Sequence, residues 1–271
     1  MGSLASTGSV EDLLELEEFD VREIDHTILS AFVEGRGDDV REAVRLRKVH
    51  DVFTGVSGDL NETFVGMLRE YETWKDIIPE LIGFPDLPEN QVFEEIMKMN
   101  DTERIGCLVR YYHAHPVMLH PSRYEESEEY MVHLSFVLRK GVELRDTGLI
   151  TMLLDIPHFP KDAIVTTWTE CIRLGYREET RILTQAVQDL RVPYITRFMA
   201  LVDLVRGFPR EDVQEMTRND FFEIHMLQQV IDLLVREGVK REDVVYLERV
   251  VDERFHRLLD FATRASMGHF E

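Results

Sequence analysis

Leu138–Asp146 (LRKGVELRD), Ile172–Glu179 (IRLGYREE), Leu204–Asp212 (LVRGFPRED) and Leu234–Asp243 (LVREGVKRED) write one arrangement four times between Phe136 and Glu271. In each, an apolar helix tail carrying an Arg meets a Gly, then an apolar residue, then a basic or polar step ending in a carboxylate. A helix commonly stops at a Gly in the left-handed conformation, which Gly adopts without steric cost, and the next residue packs back on the last turn. Gly141, Gly175, Gly207 and Gly238 fit the stop, and Val142, Tyr176, Phe208 and Val239 fit the contact. Asp146, Glu179, Asp212 and Asp243 then fall at the start of the next helix, where free N–H groups and the positive end of the dipole favour an acid.

The pattern predicts helical hairpins. Its glycines lie about 31 to 34 residues apart, the length of a two-helix unit in helical solenoids. An irregular antiparallel bundle reuses the same stops when its helices have similar lengths, so a short α-solenoid and an irregular helical bundle both fit. No strand-like alternation of useful length appears, and the expected fold class is all-α, about a dozen helices in antiparallel hairpins.

Working outward from the hairpins, Asp20 opens a helix whose stripe is Ile24, Ile28, Leu29 and Phe32, and Gly35 and Gly37 stop it. Asp38 or Asp39 starts the next, with Val40, Ala43, Val44, Val49 and Val52 facing inward. Leu60–Trp74 is amphipathic until Pro79 disturbs it, Asn90 opens a helix to Met99, and Asp101 caps another from Thr102 to about His115. A further helix runs from Ser122 or Glu125 to Lys140, and the last one from about Asp243 to Ala265. Residues 1–8 read as a disordered tail and 9–271 as one helical domain, which can divide into halves 9–121 and 122–271.

The 271 residues carry 52 acids against 31 bases, a formal net charge of −21. That balance disfavours wrapping nucleic acid or lying on an anionic membrane, since both require a cationic footprint. No apolar run has bilayer length, and the opening MGSLASTGSV lacks the basic and hydrophobic regions of a secretory signal. Cys107 and Cys171 form no spaced pair, which points to reduced thiols and, with the rest, to the cytoplasm. From Glu11 to Asp20 there are six acids and no base, read as a solvated helix face.

Two places could carry chemistry. Arg104–Tyr124 contains no acid and gathers Arg104, Arg110, Tyr111, His113, His115, His120, Arg123 and Tyr124, an electropositive, aromatic island suited to an anion or a nucleotide base. The competing reading is helix-end packing with the charges solvated. Two E-x-x-H steps, Glu23 with His26 and Glu253 with His256, repeat the spacing that sets a carboxylate and an imidazole on one face of a di-iron bundle helix. With so many acids in the chain, such a spacing also arises by chance. His113 and His115 would point about 200° apart on a helix and have no third ligand nearby. Phosphate-loop, dinucleotide, G-x-S-x-G and H-E-x-x-H motifs are missing from the sequence, and no cofactor is implied.

The function expected is therefore a protein-protein interaction or scaffold module binding a protein or peptide, with no enzyme activity indicated. A Glu/His metalloenzyme and an anion or nucleic-acid binder through 104–124 are the alternatives. The sequence leaves oligomeric state open.

Overall fold

In a computed structural model, residues 21–50, 58–82, 90–114 and 124–266 are described. They form fifteen helices, and no strand occurs among the described residues. The first nine are α1 (Val21–Val33), α2 (Gly37–His50), α3 (Gly58–Arg69), α4 (Tyr71–Trp74), α5 (Ile78–Leu81), α6 (Asn90–Met99), α7 (Thr102–Ala114), α8 (Tyr124–Glu143) and α9 (Thr147–Leu154). The last six are α10 (Lys161–Leu174), α11 (Arg177–Val187), α12 (Tyr194–Gly207), α13 (Arg210–Thr217), α14 (Ile224–Arg236) and α15 (Arg241–Ser266). The acidic run Glu11–Asp20, the tail 1–8 and the side chains of Val49 and Val52 lie outside the described residues. The chain divides into two compact units, one ending at Phe159 and the other beginning at Pro160.

In the first unit, α1 packs on α2 and α3, α3 on α6, α6 on α7, α7 on α9, and α8 on α9. The expected stripes face inward: Ile24, Ile28, Val40, Ala43 and Val44 are fully buried, while Leu29 and Phe32 are half-buried. Gly66 lets α3 approach α1, because a Cβ there would stand 2.5 Å from the Phe32 ring. Asp101 caps α7 as expected, accepting from the Arg104 N–H at 3.0 Å.

The turns divide the glycines into three uses. Gly175 (φ 68°) and Gly238 (φ 94°) take the left-handed conformation, and the N–H groups of Tyr176 and Val239 reach back to the carbonyls of Cys171 and Leu234 at 2.9 Å each. Gly35 (φ 72°) closes α1 in the same way, with Arg36 N–H on Ala31 O at 2.8 Å. Gly141 does not stop its helix. The left-handed residue there is Arg145 (φ 57°), and Asp146 N–H returns to Gly141 O at 3.0 Å. Gly141 instead serves close approach, since a Cβ on it would meet Ile150 at 3.3 Å. Gly207 is the last residue of α12 without a positive φ, and Phe208 beyond it is extended, as a residue before proline must be.

In the second unit, α10 and α11, α12 and α13, and α14 and α15 are successive packed pairs. First helix packs on first helix, α10 on α12 and α12 on α14, and second on second, α11 on α13 and α13 on α15. Between neighbouring pairs the same ion pair recurs: Arg177 to Asp212 at 2.5 Å, then Arg210 to Asp243 at 2.7 Å. Each joins the first residue of one second helix to an acid in the first turn of the next. Two of the turn carboxylates thus bridge neighbouring helix pairs, whereas Asp146 caps its helix by accepting from the Leu149 N–H at 2.8 Å. Trp168 fills the core of this unit, its indole N–H on Thr184 Oγ1 at 2.9 Å.

Candidate interaction surface

Of the described residues of the electropositive island, Arg104, Tyr111 and His113 take part in packing, while Arg110 is exposed. Arg104, at the start of α7, donates from Nε to Leu68 O at 2.5 Å and from Nη2 to Arg69 O at 3.4 Å. It therefore caps the carbonyl end of α3, where a cation meets the negative end of the dipole. His113 Nε2 lies 2.7 Å from Met152 O and ties α7 to α9. Tyr111 is buried. Arg110 reaches Cys107 Sγ at 3.0 Å, and burial pushes that thiol up against the opposing pull of the guanidinium. His115, His120 and Arg123 lie outside the described residues, as does the side chain of Tyr124.

The two E-x-x-H steps fall in different units. His26, on α1, faces Asp59 with Nδ1 at 3.1 Å from Oδ2. His256, on α15, is exposed, its Nδ1 2.7 Å from Asp252 O, and Glu253 is exposed beside it. Among the described residues no group of three or more His, Cys, Asp or Glu is placed to hold a metal ion.

A different surface stands out on α12. Its inward face buries Ala200, Leu201 and Leu204, while Tyr194, Ile195 and Met199 are 38%, 63% and 50% exposed and Phe198 is half-buried beside them. Residues 194, 195, 198 and 199 lie one turn apart and form one contiguous apolar face. Neighbouring α14 holds it in shape. Tyr194 OH and Gln229 Oε1 are 2.6 Å apart, and the Tyr194 ring stacks on His225 at 5.6 Å and on Phe198 at 6.3 Å. Comparison with family models, curated proteins and solved structures returns no match. The reading of the surface rests on its own chemistry.

Below that face, two arginines hold the connection between α13 and α14. Arg197, on α12, donates to Phe221 O at 2.6 Å and to Glu223 Oε1 at 2.9 Å, with its guanidinium 5.6 Å from the Phe221 ring. Arg254, on α15, bonds Phe222 O and, at 2.9 Å, Asp220 Oδ1. Burial pulls the Arg254 guanidinium below its ordinary range, against the attraction of Asp220. Neither arginine is marked by sequence, because the acceptors are main-chain carbonyls of distant residues. Among the described residues no helix is long and apolar enough to cross a membrane.

Proposed function

We propose that the second unit is a helical-repeat scaffold that presents the α12 face to a protein or peptide partner. The observation that carries this is the apolar cluster of Tyr194, Ile195, Phe198 and Met199, exposed yet fixed by Gln229 and His225. Aromatic and Met side chains are enriched at the cores of protein interfaces, where Tyr adds a rigid anchor and Met adapts to the facing surface. A face already ordered before binding loses little conformational entropy on docking. The packing of successive pairs and the recurring Arg–Asp bridge support a rigid frame for it. We place the protein in the cytoplasm, a reading supported by its two free, buried thiols.

The test compares native protein with Ile195→Asp/Met199→Asp as bait in native-cell extract. Partners retained by the native protein should be lost from the variant, whose thermal melt should be unchanged because both positions are exposed. Equal recovery of the same partners by both baits overturns the assignment of this face.

A further inference from the structure

Several arginines of the second unit are held in ion pairs. Arg177, Arg181, Arg197, Arg206, Arg210, Arg241 and Arg254 are each ion-paired. Arg218, Arg249 and Arg257 have no carboxylate partner among the described residues, and together they line one open groove of about 700 Å³. In a chain of net charge −21, these three guanidinium groups outnumber by one the two carboxylates, Asp252 and Glu253, that share the lining.

The groove is held in place from beneath. Arg257 Nη2 donates to Arg218 O at 3.0 Å, and Arg254 bonds Phe222 O, so α15 grips the chain on both sides of the loop that carries Arg218. The Arg218 side chain projects from a fixed backbone. His256, Asp252 and Glu253 complete the lining.

Beside the groove, α15 outruns the rest of its unit. Arg254 is its last buried residue, and every side chain described from Phe255 to Thr263 is exposed, including Phe255, Leu258, Leu259 and Phe261. Phe255 follows Asp252 by three positions and Leu259 follows His256 by three, so an apolar edge borders the charged groove along the same helix.

We propose that this groove and edge dock an acidic amphipathic helix of a partner protein. Its apolar stripe lies on Phe255 and Leu259 and its carboxylates face Arg218, Arg249 and Arg257. Charge complementarity selects that occupant, since carboxylate pairs with guanidinium in bidentate geometry and a helix presents both kinds of side chain at matching spacing. A nucleic-acid backbone fits less well, since it has no apolar stripe to cover Phe255 and Leu259. This surface is separate from the α12 face, and either can fail without the other.

The experiment uses the full chain and a fluorescent synthetic peptide with leucines at i, i+3, i+4 and i+7 and glutamates between them. Binding should weaken about tenfold for Arg218→Glu/Arg249→Glu and with added salt, as for several exposed ion pairs acting together. A glutamine analogue of the peptide should bind comparably weakly, and Leu259→Ser should reduce binding while leaving its salt dependence. Both variants change exposed residues, and circular dichroism should match the native protein. Three results overturn the proposal: no binding of the glutamate peptide, equal binding of its glutamine analogue, or a charge-reversed variant that binds as well as native protein. Preferential binding of an RNA oligonucleotide or of anionic vesicles over the peptide overturns it as well.

Discussion

Arg47 Nε donates to Asp25 Oδ1 at 2.8 Å between α1 and α2, and each side chain is only 1% exposed. The cost of removing two charges from water is offset in part by their mutual attraction and hydrogen bonding, and loss of one partner takes that contribution from the other. Arg47→Met or Asp25→Leu alone should destabilise the first unit by about 3–5 kcal/mol. The double variant should lose far less than the sum. Urea denaturation of the four proteins closes the cycle, and strict additivity would show that the pair does not act as a unit.

The glycines of the four turns should separate on substitution by Ala. Gly175 and Gly238 have left-handed backbones with open space around them, so Ala there meets backbone strain alone, about 1 kcal/mol each. Gly207 is helical and equally open, and Ala at that position should stabilise by up to about 0.5 kcal/mol. Thermal melts of the three variants decide it. A loss at Gly207 equal to that at Gly175 would return Gly207 to the helix-stop role expected of it.

His133 makes the first unit sensitive to acid. Its ring is buried and stacks on Phe93 at 3.8 Å, and burial lowers its pKa from 6.5. The unfolded chain therefore takes up a proton at a higher pH than the folded one, and stability is complete above about pH 6.5 and falls as pH drops toward the folded pKa. His133→Phe should flatten that slope. The check is the urea midpoint of native and variant protein at pH values across the window; parallel curves would remove His133 as the cause.

How far the sequence reaches depends on whether a residue's partner is local. Helix ends set by adjacent residues were readable, as at Gly35, Gly175, Gly238 and Asp101. At Gly141 the local pattern points to a helix stop, whereas its role comes from Ile150, on the far side of the hairpin. The buried Asp25–Arg47 pair left a trace that could have been followed: Asp25 sits three before Ile28, and Arg47 sits three after Val44, both within apolar stripes. The α12 surface left none. That helix is apolar on more than one side, and periodicity cannot say which side the neighbours α10 and α14 will cover. Within the Arg104–Tyr124 island, composition likewise does not reveal that Arg104 is taken up by the end of α3.

Arg254 offers the sharpest test of what shapes the second unit. Its side chain is 4% exposed while its partner Asp220 is 92% exposed, so this is less a buried ion pair than a cation binding main-chain oxygen. Phe222 O and, at 3.4 Å, Thr217 O accept from the same nitrogen. Arg254→Met keeps much of the volume but leaves those carbonyls without a donor in a buried setting, at about 2 kcal/mol. Asp220→Ala removes only the exposed acceptor and should change stability by less than about 1 kcal/mol. Hydrogen exchange then locates the effect: in Arg254→Met, amides of 217–223 should lose protection before those of α10 and α11, because the connection they form keeps Arg197 of α12 and Arg257 of α15 but loses the Arg254 clamp on Thr217 O and Phe222 O. If Asp220→Ala proved as damaging as Arg254→Met, the ion pair and not the carbonyl clamp would be what orders the connection.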